Sequence, residues 1–163
     1  MNKGMMRLSI LTVAFMAMMP LLVVGFVPAQ EQNPPVSTTQ KIPFNRTLPT
    51  PCKEKRIRLN GEFRAQYKVT RDADGQISID GNFHANWITG SGLTSRGKYE
   101  AIGTARLEST GPSPTSFTYV FNFSLNKVRT NESLMGHVKF RINVDALGSA
   151  TTSVIAANID CTK

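Results

Sequence analysis

The chain has 163 residues, with 19 Lys and Arg against 11 Asp and Glu, a formal charge of +8 and only two cysteines. That length suits one domain with a real core and is too short for two. No residue combination makes a recognisable catalytic or cofactor motif, so the composition points away from an enzyme and towards a binding or structural protein.

Residues 1–29 have the layout of an export signal. Lys3 and Arg7 precede an acid-free apolar run from Leu8 to Phe26, and Val27-Pro28-Ala29 supplies a small-residue cleavage site. Cleavage is expected after Ala29, giving a periplasmic or secreted protein with no membrane span. An uncleaved anchor is the alternative, because the apolar run is about long enough to cross a bilayer. Removing Lys3 and Arg7 with the signal leaves 17 cations against 11 acids, a balance of +6. An exported protein of this modest charge is not expected to meet nucleic acid.

Residues 30–51 hold Pro34, Pro35, Pro43, Pro49 and Pro51 among polar residues, with Ile42, Phe44 and Leu48 as the apolar anchors. This composition predicts a disordered Pro-rich leader ahead of a domain spanning residues 52–163. Cys52 and Cys161 bracket that domain, and an even cysteine count in an exported chain predicts a disulfide. Such a bond closes a long loop and contributes roughly 4 to 5 kcal/mol by chain entropy, as an upper figure.

Apolar and polar residues alternate through the rest of the chain, which is a strand signal. Phe63, Ala65, Tyr67 and Val69 share one face. Asp72 to Gly75 makes a turn, and Ile77, Ile79, Phe83, Ala85 and Trp87 return, with Gly81 as a site for a bulge or a close approach. Thr89 to Gly92 reads as a crossing to a strand carrying Tyr99, Ala101, Gly103, Ala105 and Leu107. After the turn at Gly111 to Pro114 comes the clearest ladder, Phe117, Tyr119, Phe121, Phe123 and Leu125. Val138, Phe140, Ile142 and Val144 follow, and Ala146 to Ser149 leads to a last strand ending at Cys161. No segment has a helical period. The expected fold is all-β, a single antiparallel meander forming a closed or nearly closed barrel, with a two-sheet sandwich as the alternative.

Several of these motifs together resemble a family of small, uncharacterised exported bacterial β-strand proteins. They are Gly61-Glu62, Val69-Thr70, Asp72 to Gly75, Gly90 to Thr94, Lys98-Tyr99, the Phe117 to Phe123 strand, and a final cysteine followed by Lys163, covering about residues 56 to 163. The resemblance implies export and a β fold and implies no activity. Members carry histidines on their polar strand faces. Here the corresponding places hold Arg64, Lys68, Asn82 and Arg141, with His137 alone matching, and cations or amides cannot take over imidazole's part as metal ligands.

Two readings of function remain at this level. A barrel of this size can hold one small apolar ligand, which Tyr67, Trp87, Tyr99, Tyr119, Phe121 and Phe123 would line unless they simply pack a core. Alternatively Arg64, Lys68, Lys139 and Arg141 form a cationic strand face that binds acidic polymers or proteins. A hydrolase or isomerase in the barrel cavity is a remoter option, requiring carboxylates such as Glu62, Glu100 and Glu108, or His84 and His137, to converge. No metal or cofactor is expected.

Overall fold

The structure, a computed structural model, describes residues 34–162; the expected export signal lies outside the described residues. Eight strands follow one another: β1 (Val36–Pro49), β2 (Arg56–Arg71), β3 (Gln76–Gly92), β4 (Lys98–Ile102), β5 (Thr104–Pro112), β6 (Thr115–Lys127), β7 (Ser133–Val144) and β8 (Ala150–Cys161). All pairings are antiparallel. The order β1-β2-β3-β4-β6-β7-β8 is a meander, and β5 pairs with β3 alone. The sheet curls into a nearly closed barrel, as the alternation predicts.

The leader expected over residues 30–51 is corrected across most of its length, because residues 36–49 form β1 and pair with β2 from Arg56 to Val69. Ile42, Phe44 and Leu48 alternate inward and are buried. Their burial, together with the ladder to β2, outweighs the proline content. Pro43 and Pro49 are tolerated because β1 lies at the edge of the sheet, where a missing N–H need not break a second ladder.

Closure at the β1–β8 seam is made by side chains. The Gln40 amide donates to the Thr152 carbonyl at 3.1 Å and accepts from the Thr152 N–H at 2.7 Å, reproducing a pair of ladder bonds. The Tyr67 hydroxyl meets the Thr152 hydroxyl beneath this contact. At one end of the seam the Cys52–Cys161 disulfide ties the β1–β2 turn to the end of β8, with Cα atoms 5.6 Å apart. At the other end Arg71 donates to Ser113 Oγ at 2.8 Å and to the Ala146 carbonyl.

The strand predicted from Tyr99 to Leu107 is divided at Gly103 into β4, between β3 and β6, and β5, which follows β3 only. At the break the Gly103 N–H donates to the Asn86 side-chain oxygen at 3.3 Å, and the position has no room for a side chain. A Cβ on Gly103 would lie 2.6 Å from Phe123 Cβ, and one on Gly136 would lie 2.4 Å from the Phe123 ring. Small residues here make room for an aromatic side chain, and Phe123 fills it.

The interior is one cluster around Phe44, Phe63, Phe83, Phe121, Phe123 and Phe140, all buried. Phe63 meets Phe44, Phe121, Phe123 and Phe140 edge to face with ring centroids 5.1 to 5.9 Å apart. These separations are the contact distances of aromatic rings in a packed core.

Candidate functional site

The residues expected to line a cavity divide into three groups. Tyr67, Tyr99, Phe121 and Phe123 point inward and are buried in the cluster. Burial pushes the Tyr67 hydroxyl up to about 12 in spite of its bond to Thr152. Tyr119 is half-buried beside the Phe83 ring, with centroids 5.0 Å apart.

Trp87 is a correction, since it is 42% exposed and lies on the outer wall. The β2–β3 register slips between Glu62 and Arg64, so that β3 carries an extra residue in this stretch and its alternation reverses: Ala85 points in, Asn86 and Trp87 point out, and Ile88 points in. Gly61 permits the bulge. Its φ is +141°, and a Cβ there would sit 2.0 Å from the Trp87 carbonyl oxygen. On the outer wall the Arg64 guanidinium lies 3.7 Å from the indole centroid while bonding Glu62 at 2.9 Å.

The cationic strand face is corrected too. Arg64 and Lys68 lie on β2, Lys139 and Arg141 on β7, and the order of strands keeps β2 and β7 apart in both directions round the barrel. Local partners also engage the first two. Arg64 is held by Trp87 and Glu62, and Lys68 faces Asp80 across the ladder. The Arg106 guanidinium bonds both oxygens of Asp80, at 3.0 and 2.8 Å, and holds its pKa below the usual carboxylate range. Charges are matched locally on β2, β3 and β5, whereas Lys139 and Arg141 on β7, like Arg46 and Arg58, have no carboxylate within 4 Å among the described residues.

His84 packs edge-on to Trp87, and His137 on β7 bonds Asn122 at 2.7 Å and lies 3.2 Å from Asp160. Glu62, Glu100 and Glu108 sit on β2, β4 and β5, with Glu62 and Glu108 in ion pairs. No three His, Cys, Asp or Glu side chains come together as a metal set among the described residues.

The site that the sequence did not reveal is the end of the barrel closed by the disulfide. Three turns meet there, at residues 50–55, 93–97 and 128–132. Glu54 locks the first to the second. Its carboxylate is 5% exposed and accepts from the Thr94 N–H at 2.6 Å, the Ser95 N–H at 2.9 Å and the Ser95 hydroxyl at 2.5 Å. Burial alone would raise its pKa, but these donors outweigh burial and lower it to about 2. The Leu93 N–H donates to the Arg56 carbonyl at 3.0 Å, and the Val128 N–H donates to the Lys98 carbonyl at 2.9 Å, so the third turn is tied in as well.

Charge is unevenly shared between the two ends. The disulfide end carries Lys53, Lys55, Arg56, Arg96, Lys98, Lys127 and Arg129 against Glu54, Glu132 and Asp160, a balance of +4. Glu54 is committed to its turn, and Glu132 pairs with Lys127 at 2.6 Å. The opposite end, with turns at residues 72–75, 113–114 and 145–149, carries Asp72, Asp74 and Asp145 against Arg71, a balance of −2. No protein-family model, curated protein or solved structure matches this chain.

Proposed function

We propose that the protein is an exported, non-catalytic binding module that acts through its outer surface. The observation that carries this reading is the packed interior: the phenylalanines that could have lined a ligand cavity touch one another instead. A small apolar ligand carried inside would have to displace them. Outside, a patterned distribution of charge remains, with part of the wall neutralised by local pairs and one end in cationic excess. The Cys52–Cys161 disulfide fits an oxidising compartment outside the cytoplasm, and the signal-like residues 1–29 supply the route.

Native mass spectrometry of the protein recovered from its exported fraction tests the reading. The expected species begins at Gln30, is lighter by two hydrogens and carries no ligand. A reproducible extra mass released on denaturation would overturn the surface reading in favour of an interior carrier, and retention of residues 1–29 would overturn cleavage after Ala29.

A further inference from the structure

Among the described residues only two that are not glycine have a positive φ: Arg96 at 57° and Arg129 at 67°. Both sit in turns at the cationic end. Where the chain needs such a backbone elsewhere, it uses Gly61, Gly75 and Gly148. The left-handed region is unfavourable for any residue with a Cβ, and such positions concentrate where function holds them in place. Neither guanidinium makes a hydrogen bond or an ion pair with any described residue, so no internal contact of the side chain compensates for the backbone conformation.

The same is true of their neighbours. Lys53, Lys55, Arg56 and Lys98 are exposed, and none has a carboxylate within 4 Å among the described residues. Two apolar side chains stand among these cations, Leu93 at 48% exposed and Val128 at 38%, each in a turn that also carries one of the left-handed arginines. Glu54 and the disulfide hold the turns together, so the cations and the two apolar side chains are presented as one fixed surface. The first described residue, Pro34, leaves the barrel at the opposite end, clear of this surface.

We infer that the disulfide end of the barrel docks on an anionic phospholipid surface, with Arg96, Arg129 and the surrounding cations on headgroup phosphates and Leu93 and Val128 at the edge of the acyl region. This deepens the surface-binding reading and rests on it. A bilayer accounts for both the charge and the apolar side chains, because basic clusters gain from headgroup potential and exposed apolar groups gain from a hydrocarbon boundary. A soluble acidic polysaccharide would use the cations alone. It would also find no exposed aromatic ring at this end, since Trp87 lies on the wall and Tyr99 is buried.

The test is co-sedimentation of the exported protein with phosphatidylcholine vesicles, with and without phosphatidylglycerol, over a salt series. Binding is expected only with phosphatidylglycerol and should weaken as salt rises. The decisive variant is Arg96→Gly with Arg129→Gly, which relieves the backbone while removing two charges. Its melting temperature should equal or exceed the parent's while its vesicle affinity falls roughly fivefold per arginine. Leu93→Ser with Val128→Ser should also weaken binding. Parental binding by the double glycine variant, or no preference for phosphatidylglycerol, would overturn the proposal. Retention on dextran sulfate with no effect of the serine substitutions would overturn the membrane as partner while leaving the surface reading intact. Only the ligand-bearing mass described above would remove that reading.

Discussion

Replacing Glu54 by Gln tests whether one ionised carboxylate organises the disulfide end. The ionised group accepts three hydrogen bonds from the next turn, from Thr94 N–H, Ser95 N–H and Ser95 Oγ. Its pKa is lowered from 4.5 to about 2. A drop of about 2.5 units corresponds to about 3.4 kcal/mol as an upper figure, and because Gln keeps one oxygen acceptor for these donors the expected difference is about 2 kcal/mol. Because the folded pKa lies below the unfolded one, this stability is present above pH ~4.5 and is lost as pH falls towards ~2. Urea unfolding of parent and Glu54→Gln across that range should show the parent about 2 kcal/mol more stable at pH 7, with the gap closing towards pH 2. Asp80 and Glu132, also held below their usual range by Arg106 and Lys127, contribute to the acid loss in both proteins and cancel in the difference. A gap independent of pH would refute the ionised-anchor argument, because a purely steric role has no such slope.

One further substitution and one spectroscopic measurement probe the barrel. Gly136→Ala puts a Cβ into the Phe123 ring at 2.4 Å, so the ring must leave its place. A loss of about 1–3 kcal/mol is expected in chemical denaturation, and an unchanged midpoint would contradict the packing at this position. Trp87 is the sole tryptophan, so native fluorescence reports its environment directly. Emission should resemble that of a solvent-exposed indole and be readily quenched by iodide. A blue-shifted, unquenched signal would place Trp87 inside and remove the β3 bulge.

Most of the wall was legible because alternation is a local property, and every inward ladder from Phe63 to Val69 and from Phe121 to Val144 is buried. Strand β1 was hidden by composition. Ile42, Phe44 and Leu48 do alternate, but five prolines within residues 30–51 speak for extended coil unless it is known that the segment runs along a sheet edge. Trp87 departs from the alternation by one residue, because period two has no means of announcing a bulge. Gly61, the residue that permits it, lies on the neighbouring strand. The cationic stripe failed for a different reason: alternation gives the face of a strand and says nothing of which strands are neighbours. Glu54 has no local signature at all, since its partners lie 40 and 41 positions away in another turn.

The distribution of charge follows from the topology and acts back on it. In a meander every second turn falls at the same end, so residues scattered through 50–55, 93–97 and 128–132 are gathered into one surface by folding alone. On the wall, Asp80 and Glu108 face each other across the β3–β5 ladder, and Arg106, two residues along from Glu108, bridges both acids. At the disulfide end the cations are spread over three turns and the terminal residues of β2, β4 and β6, and among them Lys127 alone has a carboxylate partner, Glu132, among the described residues. Such repulsion destabilises the compact state. Here it acts against turns fixed by a covalent bond, by an ionised Glu54 and by backbone bonds from Leu93 and Val128. A chain without use for the concentrated charge could lower that repulsion by placing glycine at positions 96 and 129, where the backbone also favours it. The arginines that stand there instead are the strongest sign that this end of the barrel is built to meet an anionic surface.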